Sequence, residues 1–426
     1  MPSRREGVNC RLWQAFAQPE NQENVGNKRR RGLAGCLDRE PPVAIERPER
    51  RPKPDVKVTD VSAQAAEAGI FSDAMIEALV SERAIALPMP LAIGQVQPAS
   101  LDLRLGKRCW RMRASFLPGQ GGSVAERIAA YSLHEIDLSH GAVLETGCVY
   151  VAEILEGLAL PADVSATANP KSSTGRLDVF TRVITNGASA FDTISAGYTG
   201  PIFAEISPRT FPVLVRTGSR LSQIRFRRGH ARISDAALEA LHARAGLVDR
   251  DAALIQDGIV LSVDLAGFDG QGLVGYRGKR HTGLVDVDRV GAYRTAEYWE
   301  PIHLSGRREL VLDPNEFYIL ASKEAVHVPP DHAAEMVPFD PMMGEFRVHY
   351  AGFFDPGFGN ASAGGAGARA VLEVRSRDVP FIVEDGQVVG RLIYERMAML
   401  PEKLYGAGLS SNYQAQGLKL SKHFID

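Results

Sequence analysis

The strongest constraint on this 426-residue chain is that it repeats itself. Phe71–Leu79 reads FSDAMIEAL and Ile233–Leu241 reads ISDAALEAL, 162 positions later. Ser100-Leu-Asp102-Leu and Ser262-Val-Asp264-Leu recur at the same offset. Further along, Leu144…Tyr150…Pro161-Ala-Asp163 matches Leu312…Tyr318…Pro329-Pro-Asp331 at an offset of 168, and Glu205 and Glu373 keep that spacing. A chance match does not hold its register across four separated segments, so the chain is expected to fold as two copies of one unit, residues 58–229 and 230–426. Residues 1–57 stand outside the repeat. They carry KRRR at Lys28–Arg31 and RPERRPKPD from Arg47, with few aliphatics between. Such a segment cannot bury enough apolar surface to offset its ordering entropy and is expected to be disordered. A basic arm for nucleic acid is one reading of it. A solvated tail, or sequence added by an upstream start codon, carries more weight, so no nucleic-acid partner and no chemistry are assigned there.

Each lobe opens with a short amphipathic helix. Ser72 or Ser234 stands where an N-cap is wanted, and Asp73 or Asp235 suits the positive helix end. Strands follow. Val149–Leu155, Val179–Ile184, Ile202–Ile206, Val213–Val215 and Leu221–Phe226 are short, rich in β-branched and aromatic residues, and bounded by Gly, Pro, Asn or Ser. The second lobe echoes them with Phe317–Leu320, Val371–Val374, Phe381–Val383 and Val388–Tyr394. This pattern predicts a mainly β, jelly-roll-like architecture rather than alternating βαβ units. No GxGxxG follows a strand and no GxxxxGK[ST] occurs, so Rossmann and P-loop readings lack their fingerprints. With 45% hydrophobic and 23% charged residues, a net charge of −2 and no apolar run approaching ~18 residues, no membrane span is expected. Four cysteines without CxxC spacing (Cys10, Cys36, Cys109, Cys148) and the lack of a signal-peptide pattern fit a reducing cytoplasm.

Three features could carry chemistry. Lys171-Ser172-Ser173-Thr174-Gly175-Arg176 packs two cations, adjacent hydroxyls and a glycine into six residues, a compact oxyanion binder. Alone, such a turn is equally a solvated loop. Glu205 in IFAEIS is an acid inside an apolar strand, and Glu373 in AVLEVRS is its counterpart. A merely solvated position need not return as the same acid in a repeat this diverged. The third feature is the turn Asp192…Gly197-Tyr198-Thr199-Gly200, mirrored by Asp355-Pro-Gly357-Phe358-Gly359. Its glycines could admit a ligand to the backbone, or the aromatic could simply be core.

Together these motifs resemble the dCTP deaminases, relatives of the trimeric dUTPases. The family's Ser-x-Asp-Leu-Arg-Leu-Gly strand appears as Ser100-Leu-Asp102-Leu-Arg104-Leu-Gly106, and its Arg-Ser-Ser-x-x-Arg phosphate motif as Lys171–Arg176. A tail of the type that folds over bound nucleotide appears as Tyr413-Gln414-Ala415-Gln416-Gly417, followed by Lys419. The resemblance covers residues 58–426 and is closest to the long tandem form of some bacteria. It implies two dUTPase-like lobes of jelly-roll or β-clip type. Lys171, Ser172, Ser173, Arg176, Tyr198, Tyr413, Gln416 and Lys419 would bind the nucleotide. Three departures matter. Lys171 replaces Arg and loses the bidentate fork. The second lobe reads Pro338-Phe-Asp340-Pro-Met-Met-Gly344 where the phosphate motif should be, and the first lobe lacks the tail. Because family sites lie between subunits, the intact parts of both lobes are expected to form one composite pocket. Glu205 is the favoured base, Glu373 the competing choice.

The resemblance implies hydrolysis of dCTP to dUTP and ammonia, supplying dUTP for dUMP and dTTP synthesis. The base would take a proton from water, pass it toward N3 and help protonate the leaving amine, with Ser172 and Arg176 orienting water and nucleotide. Zinc deaminases use HxE…PCxxC, which is absent, and His134 and His140, on a loop-like stretch, with His327, His332 and His349 show no HxxxH spacing. No zinc is therefore expected, and Mg²⁺ would accompany the triphosphate. Rival readings are a bifunctional deaminase and dUTPase giving dUMP and pyrophosphate, a non-catalytic nucleotide-binding module, and, more weakly, a carbohydrate-binding jelly roll. The family suggests dTTP as inhibitor and a homo-oligomer, a trimer or another closed ring.

Overall fold

Short stretches of β-branched and aromatic residues between glycine and proline turns do become strands. In the computed structural model the first lobe runs α1 (Asp73–Ser81), β1 (Ser100–Met112), α2 (Val124–Tyr131), β2 (Val149–Ala159), β3 (Val164–Pro170), α3 (Ser172–Gly175), β4 (Val179–Thr185), β5 (Thr199–Pro208) and β6 (Arg220–Arg228). The second opens with α4 (Asp235–Ala245), then β7 (Ile259–Ser262), β8 (Phe317–Val326), β9 (His332–Pro338), β10 (Ala368–Ser376) and β11 (Val388–Arg396). The structure describes residues 68–426 except 251–252, 269, 271, 339–345, 350–351, 377, 407–416 and 426, so the 1–57 extension lies outside the described residues.

In the first lobe an antiparallel sheet follows the order β3-β6-β1-β2-β5-β4. The second divides the same order between β7-β11-β9 and β8-β10. The hydrogen-bond frame repeats with the sequence. Glu205 stands opposite Val151 and Glu373 opposite Ile319, while Arg228 faces Val164 and Arg396 faces His332, every partner displaced by 168. The offset of 162 linking Ser100–Asp102 to Ser262–Asp264 does not carry into this frame. The Arg104 N–H donates to Glu156 at 2.9 Å, and the N–H that donates to the matching Glu324, at 2.8 Å, belongs to Ser262. Pairing with β6 and β11 sets the register here, and a short run of matching letters cannot override it.

The two helix starts also differ. Ser234 caps α4 by accepting from the Ala237 N–H, whereas Ser72 makes no side-chain cap. Asp73 takes over, accepting from the Ala74 N–H at 3.0 Å and, across the lobe boundary, from the N–H groups of Glu402 and Lys403 at 2.9 and 3.0 Å. His134 lies in strand Ser132–Asp137 rather than in a loop.

The lobes share a core. Phe211 of the first lobe stacks edge-on against Tyr298 and Trp299 of the second, at 5.7 and 5.3 Å, and Phe424 closes on Trp299 at 5.7 Å. Strand Val213–Val215 takes Val285–Asp286 in parallel, and the C-terminal Phe424–Ile425 pairs in parallel with Tyr293–Arg294. Buried arginines cross the same boundary. Arg225, 1% exposed, donates to Asp355 and to the Ala334 carbonyl, both at 3.1 Å, and lies over the Phe353 ring. Arg375 is paired with Asp178, which also accepts from Thr210 at 2.6 Å. Among the described residues no helix is long and apolar enough to cross a membrane, and Cys109 and Cys148 are free thiols.

Removing one partner of such a buried pair strands the other charge. Arg225→Ala is expected to cost about 3–5 kcal/mol in urea unfolding, against under about 1 kcal/mol for the exposed Arg277→Ala.

Candidate active site at the junction of the lobes

Lys171 to Arg176 form a tight turn between β3 and β4. The Lys171 carbonyl accepts from the N–H groups of Thr174 and Gly175, closing α3, and the Lys171 N–H is tied to the Leu221 carbonyl at 2.9 Å. The Ser-x-Asp strand explains itself here. Asp102, buried on β1, is ion-paired with the Lys171 ammonium and lies 3.4 Å from Arg220. Arg104 holds the same strand through Glu156 at 2.7 Å, both side chains buried. Ser172 is partly exposed at the mouth of the turn, while Ser173 and Arg176 are buried.

Glu373, from β10 of the second lobe, enters this turn. A Cβ on Gly175 would lie 2.5 Å from its Oε2 and 2.7 Å from its Cδ, so only glycine leaves room for the carboxylate. Glu373 is 5% exposed, and burial pushes its carboxyl well above the usual range, the Arg176 charge opposing this and the Asp178 charge adding to it. The fold thus sets a buried carboxyl of raised proton affinity, a setting typical of proton-transfer groups, against the Lys171–Arg176 turn.

Glu205 occupies a different setting. Its carboxylate receives Arg182 from the neighbouring β4, at 2.5 Å through Nη2 and 3.2 Å through Nε. Arg182 in turn donates to Ser115 Oγ at 3.0 Å, on a segment tied to this end of the sheet by Val124 N–H to Asn186 Oδ1 at 2.9 Å. The residue favoured as base is thus paired within its own lobe, and the competing one meets the cradle. Near Glu205, burial pushes Asp192 up to about 7, with the Val183 N–H and Arg182 pulling down and Glu205 and Glu335 pushing up.

The hairpins also take part in packing: the Tyr198 hydroxyl donates to the Pro201 carbonyl at 2.7 Å and accepts from the Asn186 N–H, beyond the end of β4, at 3.2 Å. Phe358 is core against Phe354 at 4.9 Å, and a Cβ on Gly359 would strike the Val326 carbonyl at 2.2 Å. Tyr413 and Gln416 lie outside the described residues, as does most of Pro338–Gly344. The C-terminal segment does reach the cradle: the Lys419 carbonyl accepts from Arg176 Nη1 at 3.0 Å, and the Ser421 hydroxyl donates to the Ser173 carbonyl at 2.8 Å. Nothing in the sequence pointed to Arg225, Arg375 or Ser421, because their partners lie more than a hundred positions away. Among the described residues no group of three or more His, Cys, Asp or Glu is arranged to hold a metal.

Comparison with known proteins fits this geometry. Residues 67–230 match the 2'-deoxycytidine 5'-triphosphate deaminase N-terminal domain, and residues 234–424 match the C-terminal domain of the same enzyme. A dCTP deaminase from Halorubrum lacusprofundi is 33% identical over 161 residues, 37% of this chain and 76% of that protein. A dUMP-forming dCTP deaminase from Coprothermobacter proteolyticus is 29% identical over 158 residues, 37% of this chain and 81% of that protein. The crystal structure of 2'-deoxycytidine 5'-triphosphate deaminase from Agrobacterium tumefaciens is 60% identical, with a TM-score of 0.75, covering 78% of this chain and 99% of that one. The chain belongs to the dCTP deaminase family.

The raised Asp192 has a measurable consequence. A carboxyl pKa higher in the folded than the unfolded chain means the folded state holds its proton more tightly, so stability falls as pH rises from about 4 through about 7. Asn keeps the acceptor for the Val183 N–H and tolerates the positive φ of 59° at this position. Asp192→Asn is therefore expected to melt higher than the wild type at pH 8, the gap closing by pH 4.5 in thermal scans.

Proposed function

We propose that the chain deaminates dCTP, adding water at C4 of the cytosine and releasing ammonia and dUTP. The observation that carries this reading is the Glu373 carboxylate resting on Gly175 of the Lys171–Arg176 turn, a proton carrier against an oxyanion cradle. The triphosphate would lie on the turn, with Ser172 and Arg176 donating to oxygens and Lys171 supplying charge. Glu373 takes the proton from the attacking water, delivers it to N3, and then assists departure of the amine as ammonia. A positioned base of this kind contributes ~10²–10⁴-fold, and the rest comes from orientation and from stabilising the tetrahedral intermediate. Glu205, neutralised by Arg182, serves the fold in this reading. Mg²⁺ belongs to the substrate, held by phosphate oxygens and water. Cytoplasmic location, closed homo-oligomers and inhibition by dTTP enter on the family resemblance alone.

Relatives described as dUMP-forming favour a second reading in which the same site also releases pyrophosphate. Measuring ammonia and pyrophosphate separately from dCTP, with zinc-free buffers and Mg²⁺ present, decides between them. Ammonia without pyrophosphate is expected. Equal amounts of both would establish the dUMP-forming variant, and neither product would reject deamination. Gly175→Ala is expected to lower ammonia release at least about 100-fold, because the added methyl displaces the base.

A further inference from the structure

Glu373 does not cross to the turn alone. Side chains two apart on a strand point to the same face, so Arg375 leaves β10 on the side that carries Glu373 and reaches the first lobe as well. Its guanidinium is ion-paired with Asp178 and donates to Thr210 Oγ at 3.1 Å. The other terminal nitrogen donates to the Asn315 carbonyl, and the group lies 5.9 Å from the centre of the Phe317 ring. A guanidinium engaged on this many sides has one position open to it.

Asp178 is the joint between the lobes at this point. It stands two residues past Arg176, 1% exposed, with a φ of 55°, a left-handed conformation that glycine adopts more easily. Its N–H donates to the Gly175 carbonyl at 2.8 Å, and its carbonyl accepts from the Arg209 N–H at 2.9 Å. Its carboxylate takes Arg375 and accepts from the Thr210 hydroxyl at 2.6 Å. One residue thus ties the backbone of Gly175, on which the Glu373 carboxylate rests, to the strand that carries Glu373. At the other end of the turn, Asn169 Nδ2 donates to Glu335 Oε1 of β9 at 2.9 Å, so contacts between the lobes bracket the turn. We propose that Asp178 is a positioning residue for the reaction: by gripping Arg375 it sets the depth at which Glu373 meets the turn. This rests on the dCTP reading above and gives part of the chemistry to a residue outside the Lys171–Arg176 motif. Without the grip, β10 and the turn are free to shift, and a base misplaced by about 1 Å loses on the order of 10²-fold in rate.

The test uses the full chain and three variants, Asp178→Asn, Arg375→Met and the two combined. Ammonia release from dCTP gives kcat and KM, thermal scans give stability, and carbodiimide labelling of Glu373, followed by mass spectrometry, reports the seating of the acid without relying on activity. Asp178→Asn, which suits the positive φ, is expected to lower kcat about tenfold or more with KM within about threefold of wild type, and to speed Glu373 labelling. Each single variant leaves a buried charge unpaired and is expected to melt lower, whereas the double variant removes both charges and regains stability. Its kcat is expected to stay low, because the grip is still missing. A kcat within about threefold of wild type in Asp178→Asn, or a double variant whose kcat recovers together with its stability, would overturn the proposal. Should Asp178→Asn not fold, the double variant makes the same comparison. A wild-type protein that releases no ammonia, with Glu373 labelling still faster in the variants, would sink the deaminase reading and leave the positioning of the acid standing. Unchanged labelling in such a protein would overturn both.

Discussion

A carboxylate from one lobe lies where the other lobe has no side chain, and the rest of the site follows from that fit. Glu373 can reach the Lys171–Arg176 turn because residue 175 lacks a Cβ; one there would lie 2.5 Å from the Glu373 Oε2, and the acid would have to shift. Desolvation then makes the carboxyl a weaker acid, with the Asp178 charge adding to the effect and the Arg176 charge opposing it. Position and proton affinity therefore have one cause, the close seating of a buried acid against backbone. The cost of burying it is borne by the lobe boundary, where the Arg225–Asp355 and Arg375–Asp178 pairs and the aromatic cluster around Trp299 hold the two halves in register.

The two lobes present different residues at corresponding strand positions. The first keeps the cradle and the Ser-x-Asp strand that anchors it, and its own strand glutamate is tied to Arg182. At the register position where β4 presents Arg182 to Glu205, the second lobe has His349 opposite Glu373. The second lobe also contributes the C-terminal segment, whose Ser421 and Lys419 main-chain and side-chain contacts reach back to Ser173 and Arg176.

Much of this was legible in the sequence, for identifiable reasons. Strands announced themselves by composition and turn residues, and the repeat pointed to Glu373 because an acid in an apolar strand recurred at the spacing of its neighbours. Which of the two glutamates meets the Lys171–Arg176 turn was not legible. Glu205 shares a lobe with the phosphate motif, and sequence proximity favours it, whereas contact is decided by how the lobes pack. The glycine-flanked aromatics were ambiguous in the same way, since the letters of a ligand turn also serve packing, as Phe358 does against Phe354. The Ser262–Asp264 match failed because strand register answers to hydrogen bonding with β11, not to local identity.

The central claim is that the acid from the second lobe does the proton transfer on a nucleotide held by the first. Ammonia release from saturating dCTP, compared between Glu373→Gln and Glu205→Gln at matched thermal stability, addresses it most directly. The account requires near-complete loss in the former, with dCTP still bound, and turnover within about tenfold of wild type in the latter. Full activity in Glu373→Gln beside a dead Glu205→Gln would contradict it.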